Sequence, residues 1–582
     1  MFPRICITLA ILLGLTPFAL AQPKKKKPNV IVIMTDDQGH GDLGCHGNPV
    51  IKTPNLDKLA KKSVRMRNFY VSPVCSPTRA SLLTGRYNYR TGVVDTFVGR
   101  SMMHTDEVTL AELLRALGYH TGIFGKWHLG DNYPLRAMDQ GFMEALVLKG
   151  GGIGQPSDPP GGESYFNPIL QHNGKAVKKD GYCTDIFTDA AIDFISKNKD
   201  SPFFCYVAFN CPHGPLQVPK KYHDLYKNKI KLGDFPKIGF PIEGKVPLDE
   251  TEKIYGMITN IDDNVGRLLA KLDELGIADD TIVIFLTDNG PQQPRYNSGM
   301  RGRKGSVFEG GTRVPFFVCW PAGFKGDRDI DRIAAHIDVT PTLVEACGGM
   351  MPPNRAIDGK NLLPLWKSPK IDWPDRSLFF QWHRGDVPKE YRACAVRTQK
   401  WRLVQPDGVQ ENSKIDPTKW MLFDIENDPF ETKNLAAESP AVVKRLKGEY
   451  EGWFLQMSLE RGFVGPWISI GSEKENPVIL TRQDWRGPQA GWTPKSIGYW
   501  DLRVEKAGIF EITATLPTAS AKGGVLHLRF PDRKYTKTVD ANAKTTFIRG
   551  IDLPEGRNRF EIWIAEGESV RGMRFVEVRK IN

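Results

Sequence analysis

NVIVIMTDDQ, residues 29–38, runs an unbroken apolar segment straight into two adjacent carboxylates and an amide. A short Val/Ile-rich run without period-two alternation reads as a strand buried on both faces. Its polar ending matters equally, because ligands of open α/β sheets gather beyond the carboxyl ends of the strands. The same construction recurs along the chain. Apolar runs at 121–124, 203–209 and 281–286 lead into GKWHLG (125–130), NCPHGP (210–215) and TDNG (287–290), and another run covers 315–319. Helical patterns at 55–62, after the 75–85 stretch, and at 110–117, 185–197 and 252–275 fall between them. The prediction is an α/β fold: a large, mostly parallel or mixed sheet flanked by helices, with polar clusters aimed at one crevice.

Residue type then suggests the chemistry of that crevice. Asp36 and Asp37 end the first run, and Asp288 and Asn289 end a later one. Taken alone, such a pair suits a turn or a helix cap. Two pairs aimed at one place point instead to a hard cation bound by oxygen, calcium ahead of magnesium, rather than to zinc. Arg79, Lys126, His128, His213 and Lys304 add cationic or potentially cationic donors, which suits a tetrahedral oxyanion. CSPTRASLLTG (75–85) supplies a cysteine at a helix start, with Pro77 early in the first turn and backbone N–H groups facing the crevice.

Outside this framework, MFPRICITLAILLGLTPFALA (1–21) has one early Arg4, an apolar stretch and an Ala-Leu-Ala ending. That is the pattern of a cleaved secretory signal, so an exported product, periplasmic or secreted, without a membrane span is expected. Net charge is +12, a third of it from Lys24 to Lys27, which read as a solvated arm. No nucleic-acid motif accompanies the basic excess, while an anionic substrate would suit it. Nine sparse cysteines in 582 residues exclude a disulfide scaffold. Cys205 and Cys211 are near enough in sequence to pair; Cys183, Cys319 and Cys347 read as buried thiols. Beyond the catalytic unit expected at 28–340, the pattern becomes a smaller α+β unit at 341–461, with strands at 378–381 and 401–405. After the turn-rich 462–472, alternating segments at 508–516, 524–530 and 559–565 predict a β-sandwich over 473–582.

The motifs together carry a resemblance. CSPTR followed by Thr84 and Gly85 fits the pattern Cys, any residue, Pro, a small residue, Arg, then Thr-Gly. TDDQ, GKWHLG, NCPHGP, TDNG and GRKGSVFEGG (302–311) follow the same family's order. Over roughly residues 28–455 the chain resembles the formylglycine-dependent, arylsulfatase-type sulfatases of the alkaline phosphatase superfamily. The resemblance implies that a formylglycine-generating enzyme converts Cys75 to Cα-formylglycine, which hydrates to a diol. One hydroxyl attacks the ester sulfur and expels the alcohol; the other loses its proton and sulfate leaves. It also implies calcium held by Asp36, Asp37, Asp288, Asn289 and an oxygen of modified Cys75. Arg79 would stabilise the diol, and Lys126, Lys304 and His213 would meet the sulfate ester. His128 would be the base and His213 the acid, roles that are exchangeable. Asn289 stands where two-zinc relatives carry histidine, which favours a single hard cation.

A sulfated carbohydrate is the expected substrate, with specificity from loops such as 149–168. Gln381-Trp382-His383-Arg384 would contact sugar or a second sulfate, or Trp382 would simply pack. The sandwich suits sugar binding, docking or a structural role. Two other readings are a phosphonate or phosphate diester hydrolase of the same superfamily and an inactive, sulfatase-like carbohydrate-binding protein.

Overall fold

The computed structural model describes residues 27–368 and 370–582; the expected signal sequence and Lys24 to Lys26 lie outside them. Its main sheet is built on β1 (Asn29–Thr35), β2 (His120–Lys126), β3 (Phe203–Ala208) and β4 (Thr281–Thr287). They run parallel in the order β4-β1-β3-β2 within ten strands. Phe316–Cys319 pairs antiparallel with β4, so the sheet is mixed. Every residue of β1 is buried, and its side chains divide by parity. Val30, Val32 and Met34 join one apolar cluster, while Ile31 and Ile33 join another on the opposite face. Burial of each such side chain contributes about 1.5–3 kcal/mol, which is why the run from Val30 to Met34 carries no polar residue.

Helices cover both faces. α1 (Cys75–Thr84) is buried at all ten positions, and its Leu82 and Leu83 pack on the Val30 side. It begins at Cys75 itself; Pro77 falls in the first turn, where a helix has no use for the missing N–H. Gly85 ends it in the left-handed region at φ 72°, donating its N–H to the Ser81 carbonyl. On the other face α2 (Leu248–Glu274) buries Met257, Ile261, Val265 and Leu268.

The change of pattern near Pro341 is not a break in packing. α3 (Val339–Ala346) places Val339, Leu343 and Val344 in the same cluster as α1, and Thr340 Oγ1 donates to the Leu82 carbonyl at 2.6 Å. The small antiparallel sheet begins at Leu378–Gln381 and continues with Cys394–Arg397, Trp401–Gln405 and Met421–Asp424. α4 (Pro440–Arg461) packs against it, in a cluster shared with Tyr70, Tyr87 and Phe308 of the larger unit.

The C-terminal segments form two facing sheets. One contains β5 (Tyr499–Val504), β6 (Gly524–Arg529), β7 (Lys534–Val539) and β8 (Gly556–Glu566), in the order β5-β8-β6-β7. Its first strand is Ile468–Ile470, parallel to β5 and inside the stretch that reads as turns. Three residues between Gly and Pro signals are too few for alternation to show. The sandwich core takes in Val98, Met102 and Leu135, so it is continuous with the catalytic unit.

All eight described cysteines are free, which corrects the suggested Cys205–Cys211 pairing. Cys205 sits three residues before the end of β3, and at ~3.3 Å per residue the two Cα atoms fall beyond the ~7 Å limit of a disulfide. Cys183 and Cys347 are buried thiols, and Cys319 is half-buried.

Candidate active site

Four parallel strands deliver the site from their carboxyl ends. Asp36 and Asp37 follow β1, Lys126 is the last residue of β2, His213 lies in the turn after β3, and Asp288 and Asn289 follow β4. α1 brings in Cys75 and Arg79. Oxygen atoms of Asp36, Asp37 and Asp288 and the Cys75 sulfur all lie within 4.8 Å of one another, and all four residues are buried. Asp37 is held at φ 64° and His128 at φ 61°, left-handed backbone costing roughly 1–3 kcal/mol each, and such strain clusters at functional sites.

Each carboxylate has one close cationic partner, and Arg79 Nη2 also stands 4.0 Å from Asp36 Oδ2. Lys126 Nζ stands 2.5 Å from Asp36 Oδ2, Lys304 Nζ 2.6 Å from Asp37 Oδ1 and Arg79 Nη2 2.8 Å from Asp288 Oδ2. Asn289 Nδ2 donates to Asp37 Oδ1 at 2.8 Å. Asp36 Oδ1, Asp37 Oδ2 and Asn289 Oδ1 nevertheless remain buried without a hydrogen-bond partner. Orphan oxygens beside a buried carboxylate triplet are a fitting donor set for a hard divalent cation. Burial, then the neighbouring Asp36 carboxylate, pushes the Asp288 carboxyl up to about 6. For Asp37, burial acts upward too, but Lys304 and His213 hold it below the ordinary carboxylate range. The Cys75 thiol is pushed up to about 12 by burial, against the pull of Lys126 and Lys304. As a thiol it therefore supplies little nucleophile at neutral pH.

The two histidines differ. His128 Nε2 lies 2.7 Å from the Thr96 carbonyl oxygen, which can only accept, so the ring proton is on Nε2 and the buried, unpartnered Nδ1 carries a lone pair. Burial and Lys126 hold this imidazole well below its ordinary range, and thus neutral. His213 donates from Nδ1 to the Gly214 carbonyl at 2.8 Å, leaving Nε2 3.9 Å from Asp37 Oδ2; burial pushes it down to about 4. All the expected site residues except His128 are thus linked by contacts of 4.8 Å or less, and His128 stands two residues from Lys126.

Supporting residues come from farther away. Arg295 clasps Asp42 and donates from Nη2 to the Asp37 carbonyl at 2.8 Å, bracing the strained turn. Gln483, from the sandwich side of the molecule, donates from Nε2 at 2.9 Å to the same Thr96 carbonyl that receives His128. Neither is visible in a local pattern, since each acts on a backbone oxygen far away in sequence. The 149–168 loop lies against both imidazoles: a Cβ on Gly151 would stand 2.5 Å from His128 Nε2, and one on Gly152 3.0 Å from the His213 ring. Trp382 packs. It is buried, donates to Asp95 Oδ1 at 2.9 Å and backs Gly305, where a Cβ would meet its ring at 2.8 Å. Arg384 shares Asp95 at 2.8 Å.

Comparison with known proteins matches residues 28–349 to the family described as Sulfatase and 303–452 to that described as N-sulphoglucosamine sulphohydrolase, C-terminal. Arylsulfatase A of Homo sapiens is 32% identical over 498 residues, covering 76% of this chain and 89% of the relative. N-acetylgalactosamine-6-sulfatase of Homo sapiens is 32% identical over 392 residues, covering 62% and 69%. The crystal structure of Ps i-CgsB in complex with k-i-k-neocarrahexaose superposes with a TM-score of 0.63 at 29% identity, covering 74% of this chain and 93% of that one. Phosphonate monoester hydrolase of Agrobacterium radiobacter, 22% identical over 75% of this chain and 96% of its own, shares the fold with a TM-score of 0.52. The family match spans more than half of the chain, and the protein belongs to the sulfatase family of the alkaline phosphatase superfamily and is a sulfuric ester hydrolase.

Proposed function

We propose that this sulfatase is exported, binds calcium and removes sulfate from a carbohydrate ester through a Cα-formylglycine made from Cys75 by a formylglycine-generating enzyme. The observation that carries the reading is Cys75 at the buried start of α1, within 4.8 Å of three carboxylate side chains and beside Lys126, Lys304 and Arg79. A residue converted there to the hydrated aldehyde supplies one hydroxyl as nucleophile and a second whose loss of a proton expels sulfate. Asp36, Asp37, Asp288 and Asn289 would hold calcium, which would lower the pKa of the attacking hydroxyl and neutralise charge on the ester.

The chain's own side chains do the rest. Three carboxylates and three cations balance in the described structure, so an added divalent ion leaves positive charge to meet an anionic ester. Lys126 and Lys304, freed from sole service to Asp36 and Asp37, bind sulfate oxygens, and Arg79 steadies the diol. His128 takes the proton in the release step at Nδ1, the nitrogen left open by the Thr96 bond. His213 turns Nε2 to the departing alcohol and acts as acid there in its imidazolium form, which the charge of a bound anionic ester favours over the neutral ring. The Gly-rich 149–168 loop closes over both rings and excludes water. A carbohydrate alcohol is supported by the relatives named for sugar sulfates and by the neighbouring structure that holds an oligosaccharide.

Parallel rates on an aryl sulfate and a phenylphosphonate ester test the reading against the phosphonate alternative. Sulfate release that dominates, and that disappears in Cys75→Ala, is expected; faster phosphonate turnover would overturn it.

A further inference from the structure

A second feature lies outside the catalytic crevice, on the outward face of the sheet that contains β5 to β8. Along β8 the inward side chains Phe560, Ile562 and Ile564 fill the sandwich core, and the alternate residues Arg557, Arg559, Glu561 and Trp563 face out. Cross-strand register extends that face: Arg559 stands opposite Asp501, Arg529 opposite both Glu561 and Lys534. Together with Trp467, the residues Asp501, Arg529, Lys534, Arg557, Arg559 and Glu561 line a groove of about 610 Å³.

Its charges are unequal. Arg559 pairs with Asp501 at 3.1 Å and Arg529 pairs with Glu561, which uses up both acids of the lining. Arg557 and Lys534 are exposed and have no carboxylate partner among the described residues; the Arg557 guanidinium lies 5.2 Å above the Trp467 ring instead. Arg559 lies 3.8 Å above Tyr499 in the same way. Such a surface offers cations spaced ~7 Å apart along a strand and ~4.8 Å between strands, with aromatic rings beside them. It suits a chain of repeated anionic groups carried on flat, partly apolar rings. Guanidinium forks match the trigonal oxygen face of a sulfate ester, and an indole face matches the C–H face of a pyranose.

We propose that this groove is a non-catalytic binding site for a sulfated polysaccharide, which holds the polymer on the enzyme while single sulfates are removed elsewhere. The choice of sulfated glycan over another polyanion rests on the sulfatase reading of the catalytic site.

The test uses the full-length Cys75→Ala protein, to prevent turnover, and the triple variant Trp467→Ala, Lys534→Ala, Arg557→Ala in that background. Probes are carrageenan and chondroitin sulfate, each beside its chemically desulfated form, with single-stranded DNA as a competing polyanion. At least one sulfated polymer should bind, its desulfated form should not, and the triple variant should weaken binding about ten-fold or more. Arg549→Ala, an exposed cation on the other sheet, should leave binding unchanged. With Cys75 intact, the triple variant should keep its kcat/KM for a small aryl sulfate and its Tm. The proposal is overturned by no binding to either sulfated polymer, by binding that survives the triple substitution, by equal binding of the desulfated forms, or by DNA bound as tightly. Loss of aryl sulfate turnover in the wild-type chain, with polymer binding still abolished by the triple variant, would sink the catalytic reading and leave the groove standing.

Discussion

Asp36, Asp37 and Asp288 set the electrostatic problem at the centre of the molecule: three buried carboxylates, with orphan oxygens on Asp36, Asp37 and the neighbouring Asn289. Buried acids in such proximity repel one another, and a cation that binds only the folded state relieves the repulsion and stabilises that state by mass action. Calcium at about a hundred times its dissociation constant is therefore expected to add about 2.7 kcal/mol of stability. A thermal melt of the full chain with and without calcium checks this independently of activity. Asp37→Ala should lose the Tm increase, and a melt that calcium leaves unmoved would refute the assignment. These acids were legible in the sequence because each directly follows an apolar strand, where a polar residue is conspicuous. Arg295 and Gln483 were not, because a side chain that reaches a distant backbone oxygen leaves no periodicity behind.

At the scale of elements, the segments that position the site are braced by contacts between units. Thr96, in a loop of the catalytic unit, receives both His128 and Gln483, so the carbonyl that sets the histidine tautomer is itself held by the sandwich side. Gln483→Leu should lower kcat by roughly ten-fold, with KM for a small aryl sulfate little changed, since a half-buried acceptor loses one of its two donors. Unaltered kcat would show that His128 is held adequately by its other surroundings. The Lys304 loop is anchored differently, through Glu309, which meets Arg402 Nη1 of the small sheet at 2.8 Å. Beside it, burial pushes the Glu431 carboxyl up to about 8. The folded protein then keeps a proton that the unfolded chain releases above the ordinary 4.5, so stability falls as pH rises through that window, by about 1.4 kcal/mol per pH unit at most. Glu431→Gln should flatten the decline between pH 5.5 and 7.5 in urea titrations; identical slopes in the two proteins would contradict it. The long strands and helices of the catalytic unit were readable from their periodicity to within a few residues, whereas α4 (Pro440–Arg461) was not placed in advance. The strand Ile468–Ile470 was hidden by its length, and the packing of α3 by a change in pattern that does not coincide with a change in core.

As a whole molecule, the chain is three arrangements of sheet and helix with shared cores. Val98, Met102 and Leu135 lie among the sandwich's own apolar residues, and Tyr70 and Tyr87 lie among those of the small sheet. Truncation after Arg461 would uncover the first group, so the shortened protein is expected to melt lower and aggregate; calorimetry of the intact chain should show one transition. Two well-separated transitions would mean that the sandwich folds as an independent attachment. The shared cores also bear on maturation. Cys75 is 2% exposed and every residue of α1 is buried, so an enzyme that rewrites the thiol must reach it before the chain packs. That order suits conversion during export. The most direct measurement is the mass of the tryptic peptide spanning residues 68–79, taken from catalytically active protein produced in a host that has the maturation enzyme. The account predicts a peptide in which sulfur and two hydrogens have given way to one oxygen; an active preparation whose Cys75 is still a thiol would contradict it.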